Sequence, residues 1–284
     1  MYLVLCSACT NVAVDMEGKK HIHIEHPEAW ELLVSIDDRQ VDYILYTPSV
    51  TGSLAIGQVA PADDSLQSLE DAIYDTPELL DEYKRVRVVV HSPHFVMVPM
   101  ATSDDDCRLM ALTAFPEDDG DVSICELPLN DVKIAFLMPR GMQAFLGRTF
   151  DNPDVCLHSK PLCEYFAELN RGNDSSRMFL HLTDMRMDMA IYQEGALVCS
   201  NSYPFDEASD ATYFVLNAWR AHGMDQLIDE LHLIGDSEMR AVMTPLLREY
   251  VKQVMPAVYP AAALRLGRNA MQAPLDLILL ALCE

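Results

Sequence analysis

Glycine is scarce in this chain: there are 11 in 284 residues, and no two stand in a Gly-x-Gly arrangement. A Walker-type loop is missing too, so neither of the common glycine-rich turns that wrap phosphates in backbone N–H groups is present. Basic residues are few, 20 Lys and Arg against 44 Asp and Glu, for a net charge of -24. A surface of that sign repels nucleic-acid backbones and anionic lipid headgroups and disfavours general binding to either. No apolar stretch reaches the roughly 20 residues of a membrane-spanning helix. The opening Met1–Cys6 run is apolar, but no cationic segment precedes it and Gly18-Lys19-Lys20 follows, which makes a poor signal peptide. The 8 cysteines are scattered. Cys125, Cys156, Cys163, Cys199 and Cys283 sit among apolar neighbours, as reduced core cysteines do. These features predict a cytoplasmic protein with no nucleic-acid or membrane partner.

What is present is hydrophobic material, at 50% of residues. The length suits two domains of roughly 150 residues better than one. From Trp30 onward, Glu31–Ile36, Val41–Tyr46 and Ser53–Val59 are short β-branched and aromatic runs separated by turn residues. A helix is expected over Ser65–Tyr74, then strands at Val86–His91 and Phe95–Val98. The acids at Asp104, Asp105 and Asp106 and the Glu117–Asp121 run read as solvated turns. Strands at Val122–Leu127, Val132–Leu137 and Val155–Leu157 follow, with helices at Met142–Phe150 and Pro161–Asn170.

The polar Arg171–Ser176 segment reads as a linker. Beyond it, Met178–Leu182, Met187–Tyr192 and Ala196–Tyr203 read as three consecutive strands, and a helix begins near Asp206. Leu231–Ile234 is a strand, Gly235 its turn, and Asp236 or Ser237 the cap of a helix that Pro245 should kink or split. A last strand-like run near Ala261–Leu266 leads to a helix with Leu275, Ile278, Leu279 and Leu282 on one face. The second half is therefore βββαβαβα, and the first half opens in a similar order. Two such copies face to face describe an α/β protein of two ribonuclease-H-like (actin-like) subdomains with a cleft between them. The expected division is an extension over 1–29, a first subdomain over 30–172 and a second over 173–284.

Several segments in order resemble the bacterial domain of unknown function family 3822. They are Leu33–Tyr46, His91–Pro99, Arg177–Phe205, Leu233-Ile-Gly-Asp236 and the closing Leu275–Glu284. Members of that family look like actin-fold proteins, and they are uncharacterised.

Active actin-like ATPases resemble one another in two hairpins, each with an Asp followed by glycines, and in a Gly-rich turn that receives adenosine. The glycines let N–H groups approach phosphates and the Asp holds a magnesium-bound water. Here the first tip reads Ile36-Asp37-Asp38-Arg39-Gln40 and the second Leu182-Thr183-Asp184-Met185-Arg186. Acids stand at both tips without a glycine, and Arg39 and Met185 would crowd the phosphate path. The third turn keeps Gly235 with Asp236 behind it. If nucleotide binding survives, Asp37, Asp38, Asp184 and Gly235 are its residues, with Mg-ATP the cofactor; otherwise the three acids are ordinary turn residues.

Cys6-Ser-Ala-Cys9 with His21, His23 and His26 could furnish a zinc set, but His21 and His23 are too close and alternate with Ile22 and Ile24 as strand residues do. Ser92 beside His91 is no nucleophile and base, because adjacent strand residues point to opposite faces. Alternating Met185, Met187 and Met189 fit a strand core or an adaptable partner-binding face. The leading expectation is a non-catalytic pseudo-ATPase that works as an interaction or scaffold protein, with a protein partner and no resident cofactor. The alternatives are a divergent Mg-ATP-dependent ATPase or sugar-kinase-like phosphotransferase, and a small-molecule binder in the cleft.

Overall fold

The computed structural model describes residues 11–14, 20–173 and 175–283. Its first elements are a short antiparallel hairpin, β1 (Asn11–Val14) and β2 (Lys20–His23). Cys6 and Cys9, on which the zinc expectation rests, lie outside the described residues. Of their companions, His23 and His26 are exposed.

A five-stranded sheet follows, formed by β3 (Glu31–Ile36), β4 (Val41–Tyr46), β5 (Ala55–Val59), β6 (Arg85–Val90) and β10 (Asp154–Leu157) in the order β10-β6-β3-β4-β5. Every residue of β3 is buried, because both faces of the sheet are covered; that is why its sequence shows no polar–apolar alternation. Gly57 in β5 lies against the Tyr43 ring of β4, where a Cβ would stand 2.1 Å from Cζ. The buried Tyr43 hydroxyl donates to Glu78 Oε1 at 2.8 Å. Between β5 and β6 runs α1 (Leu66–Tyr74), capped by the Ser65 side chain accepting from Ser68 N.

The second sheet contains β11 (Arg177–Leu182), β12 (Arg186–Gln193), β13 (Ala196–Pro204), β14 (Glu230–Gly235) and β15 (Gln253–Pro256), ordered β13-β12-β11-β14-β15. Its pairing repeats that of the first. In each sheet the first strand is antiparallel to the second, the second antiparallel to the third, the first parallel to the fourth and the fourth parallel to the fifth. Helix α5 (Ala208–Ala221) occupies the place of α1. Between its fourth and fifth strands the second sheet has α6 (Ser237–Arg248). The first has a longer insert: β7 (Phe95–Pro99), α2 (Asp104–Ala114), β8 (Asp121–Leu127), β9 (Val132–Met138) and α3 (Met142–Thr149). Strands β7, β9 and β8 form a small antiparallel sheet with α2 against it.

The last helices cross over. Helix α4 (Ser159–Asn170), which follows the first sheet, packs on β11, β12 and β13 of the second. Helix α7 (Leu275–Leu282), which ends the described chain's regular structure, packs on β3 of the first sheet and on α4. Phe166 of α4 stacks on Phe179 of β11 at 4.7 Å, and the Tyr192 hydroxyl of β12 donates to Cys163 O at 2.7 Å. One apolar core thus runs from the first sheet through α7 and α4 to Phe179, Ala190, Tyr192 and Leu197. The far face of the second sheet has its own core, in which Met187 and Met189 pack with α5 and α6.

Three expectations are corrected. The acids at 104–106 are not a turn but the first turn of α2, capped by the Ser103 side chain accepting from Asp106 N. Carboxylates favour that end of a helix, where unpaired N–H groups carry partial positive charge. Residues Ala261–Arg265 form a 3-10 turn, and the fifth strand is Gln253–Pro256, where a four-residue edge strand leaves little pattern. Pro245 does not split α6, since it stands one turn from the helix end and removes one ladder bond. Asp276, the one charged residue of α7, is 3% exposed.

Candidate functional site

The two sheets face each other across a cleft of about 960 Å³. Its walls come from the ends of β3, β6, β11 and β14, the tips of the two equivalent hairpins, and the start of α7. Asp37, Asp38, Asp184 and Gly235 all line it. The fold brings these four together because equivalent positions of two copies of one topology converge at the cleft. Asp37 is half-buried, while Asp38 and Asp184 are exposed at their tips.

Asp37 does not stand free. Arg186, at the start of β12, places Nη1 2.7 Å from Asp37 Oδ2. Beside that pair, Arg39 Nη1 reaches Met185 Sδ at 2.7 Å, so the crowding side chains meet across the cleft. Burial works to raise the Asp37 pKa, but His91 and Arg186 beside it and the Arg186 hydrogen bond outweigh burial and lower it. At Asp38 the balance is reversed: although its side chain reaches solvent, the surrounding cleft wall withdraws part of its hydration, and this, with the charges of Asp37 and Asp64, raises the pKa.

Gly235 has φ +101°, and a Cβ there would lie 2.2 Å from Leu182 O. That space is taken by the β11 backbone, whose Leu182 carbonyl accepts from Asp236 N at 2.7 Å. The Asp236 side chain then accepts from Met239 N at 2.7 Å, capping α6 with a carboxylate. The N-terminus of α6 is therefore already supplied with negative charge.

Beneath the tips lies a polar seam that the sequence reading did not anticipate. Arg186 Nε is 3.3 Å from Asp188 Oδ1. The same buried carboxylate accepts from His158 Nε2 at 2.9 Å, Ser202 Oγ at 2.7 Å and His181 Nδ1 at 3.0 Å. Burial alone would raise the Asp188 pKa; His158 and Arg186 beside it, with the hydrogen bonds from His158 and His181, hold it well below the usual carboxylate range. The His158 ring stacks on His91 at 4.7 Å. His91 Nε2 in turn lies 3.0 Å from Asp276 Oδ2, which also accepts from Ser35 Oγ at 2.8 Å.

Three links thus join the halves at the cleft floor: Asp37 to Arg186, His158 to Asp188, and His91 to Asp276. A fourth lies at the other end of α7. There buried Arg87 donates to Leu280 O at 2.5 Å and Cys283 O at 2.9 Å, and pairs with Glu31 at 3.1 Å. A guanidinium suits the carbonyl-rich end of a helix.

Ser35, His91 and Asp276 contain the residue types of a nucleophilic triad but not its connectivity. Ser35 Oγ and Asp276 Oδ2 both meet the same ring nitrogen, at 2.8 and 3.0 Å. A relay needs one partner on each nitrogen. Among the described residues the Ser92 hydroxyl meets only the His94 backbone, in its own turn. Among the described residues no group of three or more His, Cys, Asp or Glu is arranged to hold a metal ion. Nor, among them, is any helix long and apolar enough to cross a membrane.

Arg186 stood in the second tip, but no sequence signal announced that it pairs with Asp37, or that Asp188 and His158 meet in a buried seam beneath the cleft. The nearest to one was Asp276, a lone acid in an eight-residue apolar helix. A charge retained at a position that geometry buries requires a partner.

The DUF3822 profile, described as a protein of unknown function, matches residues 19–254. No curated protein matches the sequence. Among solved structures, a Bacteroides thetaiotaomicron protein with an actin-like ATPase fold and unknown function superposes with a TM-score of 0.76 at 23% identity, covering 91% of this chain and 97% of that one. The PilM-PilN type IV pilus biogenesis complex gives 0.55 at 14% identity, covering 90% of this chain and 98% of that one. The cytoplasmic domain of EpsL, an inner-membrane component of the Vibrio cholerae type II secretion system, gives 0.44 at 13%, with 88% and 97% covered. The chain belongs to the DUF3822 family and has the actin-like ATPase fold.

Proposed function

We propose that this is a non-catalytic actin-fold protein, a pseudo-ATPase of the cytoplasm that acts through contact with a protein partner. The observation that carries the reading is the Arg186 guanidinium on Asp37. In this fold the first hairpin acid would have to hold a hydrated magnesium ion. Here a fixed cation already engages it, and bringing a second, divalent cation to the same carboxylate sets like charges side by side.

The other positions fit a polyphosphate no better. Neither tip has a glycine, so Arg39 and Met185 replace an N–H cradle. The α6 terminus is closed by the Asp236 cap, and the space beside Gly235 by Leu182. Six carboxylates line the cleft, at Asp37, Asp38, Asp42, Asp184, Asp236 and Asp276, against three arginines at Arg39, Arg186 and Arg240. That balance disfavours a phosphate chain. The presence of the same fold in a pilus biogenesis complex supports an interaction role without identifying a partner.

The test is calorimetric titration with Mg-ATP, Mg-ADP and Mg-GTP. No heat of specific binding is expected at millimolar nucleotide. Micromolar binding that disappears in Asp37→Ala or Asp184→Ala would overturn the reading.

The size of the cleft favours a second reading, because about 960 Å³ lies in the range that holds small ligands. Ile234, Tyr259, Met271 and Leu275 supply apolar wall. On this reading the occupant is a small molecule without phosphate. Saturable binding of such a compound, lost when Tyr259 is replaced by Ala, distinguishes it from the scaffold.

A further inference from the structure

Among the described residues, α2 is the one long helix whose buried side chains are all small. Of its eleven residues only Cys107 and Ala111 are buried. These are small side chains, and they seat the helix on the β7-β9-β8 sheet in a minor core with Val98 and Ala135. The large apolar side chains point away. Leu109 is 63% exposed, Met110 50% and Leu112 46%.

An ordinary surface helix places its large residues inward and its polar ones outward. Here Leu109 and Leu112, three apart, stand on the outward face with Asp105 between them in helical projection, while Met110 flanks it. Sequence propensity does not require this arrangement, since polar residues at these positions would form the helix as well.

We infer that the outward face of α2 is the docking site for a basic amphipathic helix of a partner protein. The inference rests on the interaction reading proposed above and deepens it by naming the surface and the partner's chemistry. Charge selects that occupant. Asp105 and Asp106 are exposed beside the apolar stripe, with exposed Glu117 just beyond the helix; its neighbours Asp118 and Asp119 are already paired, with His94 at 2.8 Å and Arg140 at 3.1 Å. Asp104 is already paired with Lys133 at 2.8 Å, and Arg108 is the one basic residue within α2.

A partner with Leu-type anchors and flanking Lys or Arg meets both features at once. An anionic membrane does not, because the acids would face its headgroups. A second copy of this chain fits poorly as well. Its own α2 carries the same acids, and a stripe of three side chains is far smaller than the roughly 800 Å² per partner of a standard interface. One helix laid alongside, anchored at successive turns, matches its extent.

The experiment uses the full chain and two labelled model peptides of about four helical turns, one of Leu and Lys, the other of Leu and Glu in the same pattern. Fluorescence anisotropy is expected to show saturable binding of the Leu/Lys peptide only. Leu109→Ser with Leu112→Ser should weaken it by about tenfold or more, the scale of losing an interface anchor. Asp105→Asn with Asp106→Asn should weaken it and flatten its salt dependence.

Val242→Ser with Tyr250→Ser, an exposed apolar pair on and just beyond α6, should leave binding unchanged. The leucine and α6 variants change only exposed side chains and should unfold at the parent's midpoint. The aspartate variant loses carboxylates at the α2 N-terminus, where Asp106 also accepts from Ser103 Oγ, and should unfold slightly earlier, so its binding is read well below that transition. Binding that survives the Leu109/Leu112 change, or falls equally with the α6 pair, overturns the proposal. So does a change in the sedimentation of the protein alone on substituting Leu109 and Leu112, or anionic-vesicle binding that depends on them. Nucleotide titration does not involve α2, so failure here and failure of the non-catalytic reading are separately visible.

Discussion

Arg186 Nη1 lies 2.7 Å from Asp37 Oδ2, so the tips of two equivalent hairpins, 149 residues apart in sequence, are joined by an ion pair. Behind it, Arg186 also faces Asp188 at 3.3 Å. Replacing Arg186 by Met removes the cation between two carboxylates. It should lower unfolding free energy by about 3–5 kcal/mol, the usual cost of stranding a partly buried charge. Arg186→Lys keeps a charge but not the fork and should lose less. Urea titration of the three proteins checks this, and a Met variant as stable as the parent would contradict the assigned role.

His91 is pushed down to about 4, mainly by burial, with Arg186 and His158 adding and Asp276 opposing. For a histidine held below its unfolded value of about 6.5, stability is complete above that pH. It is lost as pH falls toward 4, because the unfolded chain takes up the proton first. The contribution across that window is about 3 kcal/mol. His91→Gln removes the titration while keeping a donor for Asp276. The variant's stability should therefore change less than the parent's between pH 6.5 and 4. Identical slopes would show that His91 does not titrate as its burial requires.

Asp42 behaves in the opposite sense. Burial raises it to about 6, with Asp276 and Asp37 adding and the Gln40 hydrogen bond opposing. A carboxyl raised above its unfolded value contributes most below about pH 4, and that contribution is lost as pH rises through 6. Asp42→Asn should thus be more stable than the parent at pH 7, by about 1–2 kcal/mol after allowing for partial exposure. The advantage should vanish near pH 4. Thermal midpoints at the two pH values suffice, and an advantage at pH 4 that disappears at pH 7 would refute the assignment.

Gly57 has no room for a side chain, because a Cβ would meet Cζ of Tyr43 at 2.1 Å. Gly57→Ala should displace that ring and break its bond to Glu78, costing about 1–3 kcal/mol as overpacking does. Tyr43→Val alone should also destabilise, by leaving a cavity. In the double variant the methyl occupies part of that space, so the combined loss should be smaller than the sum. Additive losses would show that the two residues do not compete for space.

Most strands were legible because β-branched and aromatic runs bounded by Pro, Gly and Asp carry their own boundaries. Glu31–Ile36, Val41–Tyr46 and Leu231–Ile234 are cases in point. Helix α2 was not, because its small buried residues and outward leucines invert the usual stripe. The fifth strand of the second sheet was missed because four edge residues with a terminal Pro resemble a loop. At the site, the lack of tip glycines could be read directly, since a missing side-chain type is a local fact. The partner of Asp37 could not.

Local composition by itself determined the alternation of strands and helices, the acidic surface and the absence of a glycine cradle, since each depends on residues close together in the chain. Only the tertiary structure decided that α4 and α7 exchange sheets, that Arg186 lies on Asp37, and that Asp276 is buried against His91 and Ser35. Those pairings depend on how two copies of one topology meet, and a buried charge acquires its partner only when distant segments are brought within hydrogen-bond reach.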